Sequence, residues 1–464
     1  MVSDLPPYQP PPPGEQYALL LDLYELTMAA SYFEEGMHGE ATFSLFIRKY
    51  PPDRGYFVAA GLEDALNYLT SLRFTDCGLN YLESTRLFKP AFLDYLKTVK
   101  FTGEVWALPE GTIFFQDEPV LEVSGPIIEA QLVESFIINA INLQTMIASK
   151  AARCTVAAGS RHLVDFSLRR TQGIDAALKV ARASYLGGFI GTSNVLAGKL
   201  YDLPIFGTMA HSYVISFPNE IDSFRAFCRA FPGNSVLLID TYDTIAGAQK
   251  AIVVGREMAA RGEKLRGVRL DSGDMAALSI EVRRLLNEAG LDYVTIFASG
   301  GFDEFKIARS QESGGRIDAY GVGTKMGVSA DAPYFDIAYK LVKYANRPVM
   351  KLSTGKVTYV DKKQVFRSYD SDGQMAGDLI GLREEVVPQY KPLLAKVMDQ
   401  GRLLRPHPPL KTVREYFLKE LPRLPANYQN LHQPLPYPVR ISPKLAALQS
   451  RVEERIRRTE LGQA

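Results

Sequence analysis

The chain has 464 residues, of which 46% are hydrophobic and 23% are charged, a composition typical of a soluble globular protein. The formal net charge of +1 argues against a protein whose main partner is nucleic acid or an anionic membrane. This length predicts two or three subdomains, one of which can be an α/β barrel of roughly 250 residues.

The cysteines and histidines give no zinc pattern. Three cysteines lack Cys-x-x-Cys spacing and five histidines are scattered along the chain, which favours a reducing compartment. The N-terminus has no charged segment followed by an apolar core, and no apolar run approaches the ~20 residues of a membrane span. We therefore expect a cytoplasmic protein.

The N-terminal region divides into a leader and a first domain. Residues 1–14 contain six prolines and are predicted to be a disordered leader. Residues 15–128 are predicted to form an N-terminal α+β part, which opens with an amphipathic helix over residues 17–36. Tyr24 lies between acidic residues on this helix, an unusual place for a side chain that only packs.

A strand and a second helix follow. The alternation of residues 41–52 predicts a strand that ends at Arg48 and Lys49, before two prolines. This charged strand end has two interpretations, namely plain solvation or contact with an anion. A helix is predicted over residues 61–72.

Two β-rich segments, residues 100–126 and residues 348–367, are each too small to bury a sheet face alone. We expect them to lie together in one α+β domain built from both chain ends, to which residues 343–464 return. A long helix over residues 129–157 leads into the central domain, and a charged helix is predicted over residues 443–461.

Residues 129–342 are predicted to form an α/β barrel that holds the active site. Most of its apolar runs are separated by helical segments, such as residues 175–185 and 244–261, and this alternation predicts a parallel sheet closed into a barrel. The apolar runs are LVDFSL, GFIGTS, PIFGTMA, VLLIDT, GVRLD, VTIFAS and AYGVG. Catalytic groups of such barrels lie at the carboxyl ends of the strands.

His211 lies in the segment PIFGTMAHSYV, residues 204–214. The apolar opening and the Gly207-Thr208 break predict a buried strand whose carboxyl end delivers the histidine to the barrel mouth. The alternative is a half-buried histidine that caps the following helix.

Two glycine-rich strand ends are the last of the series. Ser299, Gly300 and Gly301 end one strand, and Gly323 and Thr324 follow the next. Paired ends of this kind commonly bind phosphate through backbone N–H groups, because glycine lets the main chain approach the oxygens. The alternative is a pair of tight turns.

Acidic and basic side chains follow other strands. Asp240 and Asp271 suit Mg²⁺ held together with a phosphorylated substrate, or the hydroxyls of a sugar. Arg169, Arg170 and Arg269 supply charge-assisted hydrogen bonds for carboxylate or phosphate. A structural ion-pair network is the alternative for the acids.

The sequence lacks the motifs of several other kinds of binding or catalytic site. The chain has no G-x-x-x-x-G-K-[ST] P-loop, and GVGTKMG does not have the spacing of a dinucleotide-binding G-x-G-x-x-G. The predicted strand ends carry no lysine of the kind that an aldolase would use.

Eight segments, in chain order, resemble the nicotinate phosphoribosyltransferase family. They are DLYELTMAASYF, DFSLRRTQG, GGFIGTSNVLAG, GTMAHSYV, LLIDTYDT, GVRLDSGD, FASGGFDE and YGVGTKMGVSADAP. The resemblance implies a type II phosphoribosyltransferase fold, an irregular (β/α) barrel plus an α+β domain from both chain ends. It also implies a head-to-tail homodimer with shared active sites.

The reaction that this resemblance implies joins nicotinate to phosphoribosyl pyrophosphate in NAD salvage. The products are nicotinate mononucleotide and pyrophosphate, ATP is hydrolysed as a co-substrate, and Mg²⁺ assists the departure of pyrophosphate. His211 matches the histidine that ATP phosphorylates, and Asp271 and Asp240 match acids that contact Mg²⁺ and the ribose.

The resemblance also assigns the remaining side chains. Phe166 and Tyr24 correspond to an aromatic sandwich for the pyridine ring, with Tyr24 supplied by the neighbouring subunit. The 5′-phosphate site corresponds to Ser299, Gly300, Gly301, Gly323 and Thr324. Arg48 and Lys49 would reach the pyrophosphate across the dimer, and Arg169, Arg170 and Arg269 would bind phosphate or the nicotinate carboxylate.

Ser193 bears on the choice of base. A related nicotinamide-using enzyme carries an aspartate after its Gly-Thr, where this chain has Ser193, and a carboxylate there would repel an acid. Nicotinate is therefore the expected base. The alternatives are a nicotinamide-using phosphoribosyltransferase and a catalytically silent barrel that binds phosphorylated sugars.

Overall fold

The structure, a computed structural model, describes residues 16–352 and 358–463. The predicted Pro-rich leader at residues 1–14 lies outside the described residues. No helix within the described ranges is long and apolar enough to cross a membrane. The cytoplasmic location stays a prediction from the sequence.

A parallel six-stranded sheet forms the centre of the molecule. Its strands, in spatial order, are Gly191–Thr192, His162–Asp165, Ala319–Val322, Thr295–Ala298, Gly267–Leu270 and Val236–Leu238. Six of the seven apolar runs predicted as barrel strands therefore form this sheet. Their short polar endings lie at one edge, because all neighbouring strands run parallel.

Helices alternate with these strands and cover the sheet. They are Ile174–Leu186, Val195–Tyr201, His211–Ile215, Glu220–Ala230, Thr244–Ala260, Met275–Glu288, Glu304–Glu312 and Thr324–Gly327. Asp243 and Asp303 cap two of them by accepting hydrogen bonds from backbone N–H groups of the first turn. The strand–helix alternation predicted from sequence is thus present.

The prediction of a seventh, buried strand within residues 204–214 is wrong. Only one parallel bridge forms, between Thr192 and Ile205. The side chains of Ile205 and Phe206 are 57% and 37% exposed, so their apolar character does not mark burial within the chain. The segment turns away after Phe206 and reaches a short helix that begins at His211.

A second, seven-stranded sheet combines both ends of the chain. Its strands, in spatial order, are Arg347–Pro348, Ile337–Tyr344, Glu40–Ile47, Pro119–Pro126, Glu104–Ala107, Ala395–Asp399 and Arg402–Leu403. Strand Ile337–Tyr344 crosses the predicted boundary at residue 342 and pairs with Glu40–Ile47. The chain therefore enters this sheet as it leaves the barrel. A two-stranded ladder, Phe57–Val58 with Ile113–Phe114, lies beside these elements.

The two predicted β-rich segments touch, but they belong mostly to different sheets. Strand Lys363–Tyr369 lies in a four-stranded sheet, and the Lys363 N–H donates to Glu122 of the seven-stranded sheet at 2.9 Å. The four strands, in spatial order, are Lys391–Pro392, Lys363–Tyr369, Met375–Leu382 and Val439–Ile441. Residues 353–357 of the second segment lie outside the described residues.

The remaining helices complete the terminal domain and join it to the barrel. They are Leu23–Glu34, Leu62–Ser71, Asp76–Ser84, Pro90–Leu96, Leu410–Glu420, Ala426–Gln429 and Pro443–Leu461. The predicted helix over residues 129–157 is two helices, Ile127–Leu132 and Glu134–Ala158, which break at Val133. The longer one contacts helices and strands of both domains and forms much of their common core.

Candidate active site

Arg269 is the centre of a polar cluster at the carboxyl ends of the barrel strands. Its Nε donates to Ser299 Oγ at 2.8 Å, its Nη2 donates to Asp271 Oδ1 at 2.9 Å, and its Nη1 donates to Thr208 Oγ1 at 3.1 Å. The guanidinium lies 5.4 Å from the ring centroid of Phe166, within the range of a cation–π contact. One side chain thus connects two neighbouring strands with the segment that leads to His211.

Asp271 is held as an anion. Burial acts to raise its pKa, but a hydrogen bond from Ser299 and the charge of Arg269 outweigh burial, and the pKa is lowered from its ordinary value. The Asp271 carboxylate is therefore ionised at neutral pH. A negative charge at this position suits the stabilisation of positive charge on a bound sugar.

Asp240 lies directly beside Asp271. Its Oδ2 accepts hydrogen bonds from the Asp271 N–H at 3.0 Å and from Ser272 Oγ at 2.6 Å. Its Oδ1 is buried and has no hydrogen-bond partner within the described residues. A buried carboxylate oxygen without a partner is costly, so Oδ1 is available for a ligand that the described chain does not supply.

His211 faces this acidic pair. Its Nδ1 is 3.1 Å from Thr241 Oγ1, and its Nε2 is 3.9 Å from Asp271 Oδ2. The alternative in which the histidine caps the helix His211–Ile215 fails, because Ala210 is the N-cap residue of that helix and the His211 ring pairs with Thr241 instead. The ring is 40% exposed and is accessible to a substrate.

Gly300 and Gly301 bend the chain next to Asp271. Both have positive φ, at 95° and 68° respectively. A Cβ on Gly300 would lie 2.1 Å from the Asp271 carbonyl oxygen, whereas a Cβ on Gly301 would meet nothing within 4 Å. Gly300 is thus required by close backbone contact, and Gly301 by backbone conformation alone.

Gly300→Ala is expected to destabilise the fold more than Gly301→Ala. Gly301→Ala, the control, should lower the free energy of unfolding by about 1–2 kcal/mol, which is the strain of a left-handed residue with a Cβ. Gly300→Ala adds a collision with the Asp271 backbone and should lower the unfolding temperature further. Thermal unfolding of both variants measures the difference, and equal unfolding temperatures would contradict the close-contact argument.

The other glycine-rich end lies against Phe166. A Cβ on Gly321 would lie 2.7 Å from the Phe166 ring, and a Cβ on Gly323 would lie 3.1 Å from its carbonyl oxygen. Thr324 begins the short helix Thr324–Gly327. The predicted phosphate-binding ends therefore adjoin the Arg269 cluster on one side and the Phe166 ring on the other.

Phe166 and Ser193 occupy adjoining strand ends. The Phe166 ring is half-buried and lies 5.4 Å from the Phe297 ring, in a tilted arrangement. The Ser193 N–H donates to the Asp165 carbonyl oxygen at 2.8 Å, which ties its loop to the strand that precedes Phe166. The structure therefore brings the predicted ring-stacking residue and the predicted base-selecting residue to neighbouring loops.

Arg169 and Arg170 lie on a short 3₁₀ turn, Leu168–Arg170, and both are exposed. Their side chains form no hydrogen bond or ion pair with the described part of the chain. Both side chains are therefore available to contact a ligand. Arg269 differs from them, because its donors already bond protein atoms.

Tyr24 lies on helix Leu23–Glu34 and, among the residues that the structure describes, forms no hydrogen bond with His211, Asp271 or Asp240. The side chain is 45% exposed, and burial followed by the charge of Glu134 raises its pKa. Its neighbour Glu25 is fully buried, and burial raises the pKa of Glu25 to about 7 despite hydrogen bonds from Ser135. This helix therefore presents the tyrosine outward while an acidic residue anchors it inward.

Arg48 and Lys49 also stay apart from the cluster. Arg48 Nη1 lies 3.3 Å from Asp336 Oδ1, and Lys49 is exposed. Within the described residues of one chain, neither residue forms a hydrogen bond or ion pair with His211, Asp271 or Asp240. The interpretation that they act across a dimer stays a prediction.

Three residues of this region were missed by the sequence analysis. Thr208 forms a hydrogen bond with Arg269, and Thr241 forms one with His211. Asp165 is a buried carboxylate at a strand end. Thr241 stands at the end of the apolar run VLLIDT, which is the signal that marked Asp240 and Asp271, whereas Asp165 lies inside the run LVDFSL. Hydroxyls at strand ends are also common in turns, so type and spacing alone did not single them out.

The described residues include no group of three or more histidine, cysteine, aspartate or glutamate side chains arranged to hold a metal.

Comparison with known proteins finds matches over most of the chain. The models of the nicotinate phosphoribosyltransferase N-terminal domain, central family and C-terminal domain match residues 19–142, 161–366 and 388–449. The chain is 47% identical over 430 residues to nicotinate phosphoribosyltransferase pncB2 of Mycobacterium tuberculosis, with 92% of each chain covered. It is also 36% identical over 481 residues to the Bacillus subtilis nicotinate phosphoribosyltransferase. That match covers 95% of this chain and 98% of the Bacillus subtilis protein.

A solved structure has the same fold. The crystal structure of human nicotinic acid phosphoribosyltransferase matches with a TM-score of 0.84 at 31% identity, covering 93% of this chain and 99% of that one. The predicted fold, an irregular barrel of the type II phosphoribosyltransferase kind with an α+β domain from both chain ends, is confirmed. The family resemblance found in the eight sequence segments is confirmed as well, and the chain belongs to the nicotinate phosphoribosyltransferase family.

Proposed function

We propose that this chain joins nicotinate to phosphoribosyl pyrophosphate, with ATP hydrolysis coupled through a phosphohistidine at His211. The nicotinate phosphoribosyltransferase activity, which belongs to NAD biosynthesis, follows from membership of the family. The ATP coupling rests on one observation, the convergence of His211 with Asp271 and Asp240 at the barrel mouth.

The sugar would be held by the two glycine-rich ends and the acids. Backbone N–H groups of Gly300, Gly301 and Thr324 would bind the 5′-phosphate. As pyrophosphate departs, the C1–O bond of the ribose breaks and positive charge develops at C1. The Asp271 carboxylate, already ionised and fixed by Arg269, would stabilise that charge without further rearrangement.

The base would lie on Phe166. The pyridine nitrogen already has a free lone pair, so its attack on C1 needs no general base. Stacking on a fixed ring supplies orientation, which is the larger part of what this step requires. Arg169 and Arg170 have no protein partner among the described residues and are the candidates for the nicotinate carboxylate.

His211 would accept the γ-phosphoryl group of ATP. The bond between the γ-phosphorus and its bridging oxygen breaks, a P–N bond forms on the imidazole, and ADP leaves. The Thr241 hydrogen bond at Nδ1 orients the ring, and Nε2 forms no hydrogen bond within the described part of the chain. Hydrolysis of the phosphohistidine would then release the energy that drives product formation forward.

Mg²⁺ fits the residues at this site. Asp240 Oδ1 is buried without a partner in the described chain, and the adjacent carboxylate of Asp271 is a second oxygen donor of the kind Mg²⁺ prefers. Asp240 and Asp271 would hold the ion together with the substrate. It would supply charge neutralisation for the departing pyrophosphate.

A homodimer with shared active sites is supported by exposed apolar surface. Val195, Leu196 and Leu200, on helix Val195–Tyr201, are 67%, 53% and 55% exposed. Ile205 packs next to this helix and is 57% exposed, which makes the patch continuous. Apolar patches of this kind mark interaction sites, and a second copy of this chain would cover the patch.

The base preference gives a direct test. We expect pyrophosphate release and mononucleotide formation with nicotinate, and much slower turnover with nicotinamide. Ser193→Asp should lower the ratio of kcat/KM for nicotinate over nicotinamide by about tenfold or more, because the added carboxylate repels the acid. Ser193→Asn, which is similar in size but neutral, is the matched control.

The assay also decides between the alternatives. Preferential turnover of nicotinamide by the unchanged chain would support the nicotinamide-using enzyme, and binding of phosphoribosyl pyrophosphate without any release of pyrophosphate would support a silent barrel. An unchanged preference in Ser193→Asp would contradict the role given to Ser193.

A further inference from the structure

Asp165 is a buried carboxylate that the proposed mechanism does not use. It ends the barrel strand His162–Asp165, and its side chain is fully buried. Its Oδ1 accepts from the Ser167 N–H at 2.9 Å and from Ser167 Oγ at 2.5 Å, and its Oδ2 accepts from Thr192 Oγ1 at 2.7 Å. Within the described ranges, no lysine, arginine or histidine pairs with it.

Burying the Asp165 carboxylate without a charged partner costs free energy that a residue with a purely structural role need not cost. Burial raises the pKa of Asp165, and the hydrogen bonds from Ser167 and Thr192 oppose that shift only in part. A buried carboxylate needs a charged partner or several donors, and here neutral donors do all of the stabilising. The carboxylate must therefore contribute something that an apolar side chain cannot.

The donors that Asp165 binds lie at the ends of two neighbouring strands and lead into two different loops. Ser167 directly follows Phe166, the proposed stacking surface for the base. Thr192 directly precedes Ser193, the proposed base-selecting residue, and its Oγ1 also accepts from the Asn194 N–H at 3.0 Å. One carboxylate thus sets the separation of the two loops that would enclose the pyridine ring.

A third strand end is fixed against the same point. The Phe166 N–H donates to the Val322 carbonyl oxygen at 2.9 Å. A Cβ on Gly327 would lie 2.4 Å from Ser167 Cβ, so Ser167 is packed tightly under the short helix that follows the second glycine-rich end. Movement of Ser167 would therefore shift the Phe166 ring relative to the predicted phosphate site.

We propose that Asp165 is a positioning residue, which acts through Ser167 and Thr192 to fix the distance between Phe166 and Ser193. It does not touch the substrate. The proposal rests on the proposed function, because it takes Phe166 and Ser193 as the two sides of the nicotinate pocket. It adds that the affinity for the base depends on hydrogen bonds behind the pocket.

The test compares Thr192→Val with Thr192→Ser. Valine keeps the shape of threonine and removes the hydroxyl, whereas serine keeps the hydroxyl. We expect Thr192→Val to raise the KM for nicotinate about tenfold, because one buried hydrogen bond that fixes the pocket is lost. The KM for phosphoribosyl pyrophosphate should stay within about twofold, and Thr192→Ser should restore the nicotinate KM.

Calorimetric titration of nicotinate into the same variants gives a second readout that does not depend on turnover. Asp165→Asn should weaken nicotinate binding in the same way if the variant folds, and Thr192→Val decides the matter if it does not. An unchanged nicotinate KM in folded Thr192→Val, or an equal rise in both KM values, would overturn the proposal. The unchanged chain is assayed first, so absence of its turnover with nicotinate would reject the proposed function instead.

Discussion

Asp271→Asn is expected to lower kcat for nicotinate mononucleotide formation by about 100-fold, the usual loss when one group that stabilises transition-state charge is removed. The change keeps the shape of the side chain and removes its charge. Arg269 then loses its ionic partner, and the carboxylate that Arg269 and Ser299 hold in place no longer faces the positive charge that develops at C1 of the ribose. Steady-state kinetics with saturating substrates measures the loss.

The matched control for this variant is Asp318→Asn. Asp318 pairs with Arg283 at 2.9 Å, the distance that separates the atoms of the Arg269–Asp271 pair, but it precedes the strand Ala319–Val322 and so lies at the amino end of the barrel. Asp318→Asn should leave kcat within about twofold. A similar loss in both variants would show that the effect of Asp271→Asn comes from general destabilisation, and a normal kcat in Asp271→Asn would reject its catalytic role.

His211→Ala is expected to abolish the stimulation of turnover by ATP. Without the imidazole no phosphoramidate forms, so the ratio of the rate with ATP to the rate without ATP should fall to about one. Slow phosphoribosyl transfer should remain, because the groups proposed to bind the sugar and the base are still present. Acid-labile labelling of the protein by γ-labelled ATP should be lost in parallel.

His162→Ala provides the control for the histidine. His162 is exposed at the first position of the strand His162–Asp165, at the opposite end of the barrel from His211. Its replacement should leave both the ATP ratio and the labelling intact. Equal turnover of His211→Ala and the unchanged chain with ATP present would end the phosphohistidine proposal.

Much of the barrel could be predicted because local patterns and tertiary structure agree there. Runs such as VLLIDT and GVRLD are short and apolar with polar endings, and each becomes a strand whose polar end reaches the mouth. The parallel order then forces Asp240 and Asp271 to the same edge. Their 3.0 Å contact is a consequence of topology and not of any property of the two residues.

The segment around Ile205 shows where this reasoning fails. Its apolar residues have the composition of a buried strand, yet Ile205 and Phe206 are exposed in the single chain. A sequence pattern records that a surface is apolar, but it does not distinguish burial in the chain's own core from burial against a partner. His211 still reaches the mouth, on a short helix and not on a strand end.

The sequence by itself determined the kind of fold, the alternation of strands and helices in the barrel, and the identity of the residues that gather at its mouth. Only the tertiary structure decided which groups bond one another, such as Thr241 with His211 and Asp165 with Thr192. The physical reason is the separation along the chain over which each kind of interaction acts. Periodicity and turn chemistry act over a few residues, whereas these contacts join side chains about 30 positions apart and depend on where neighbouring strands end.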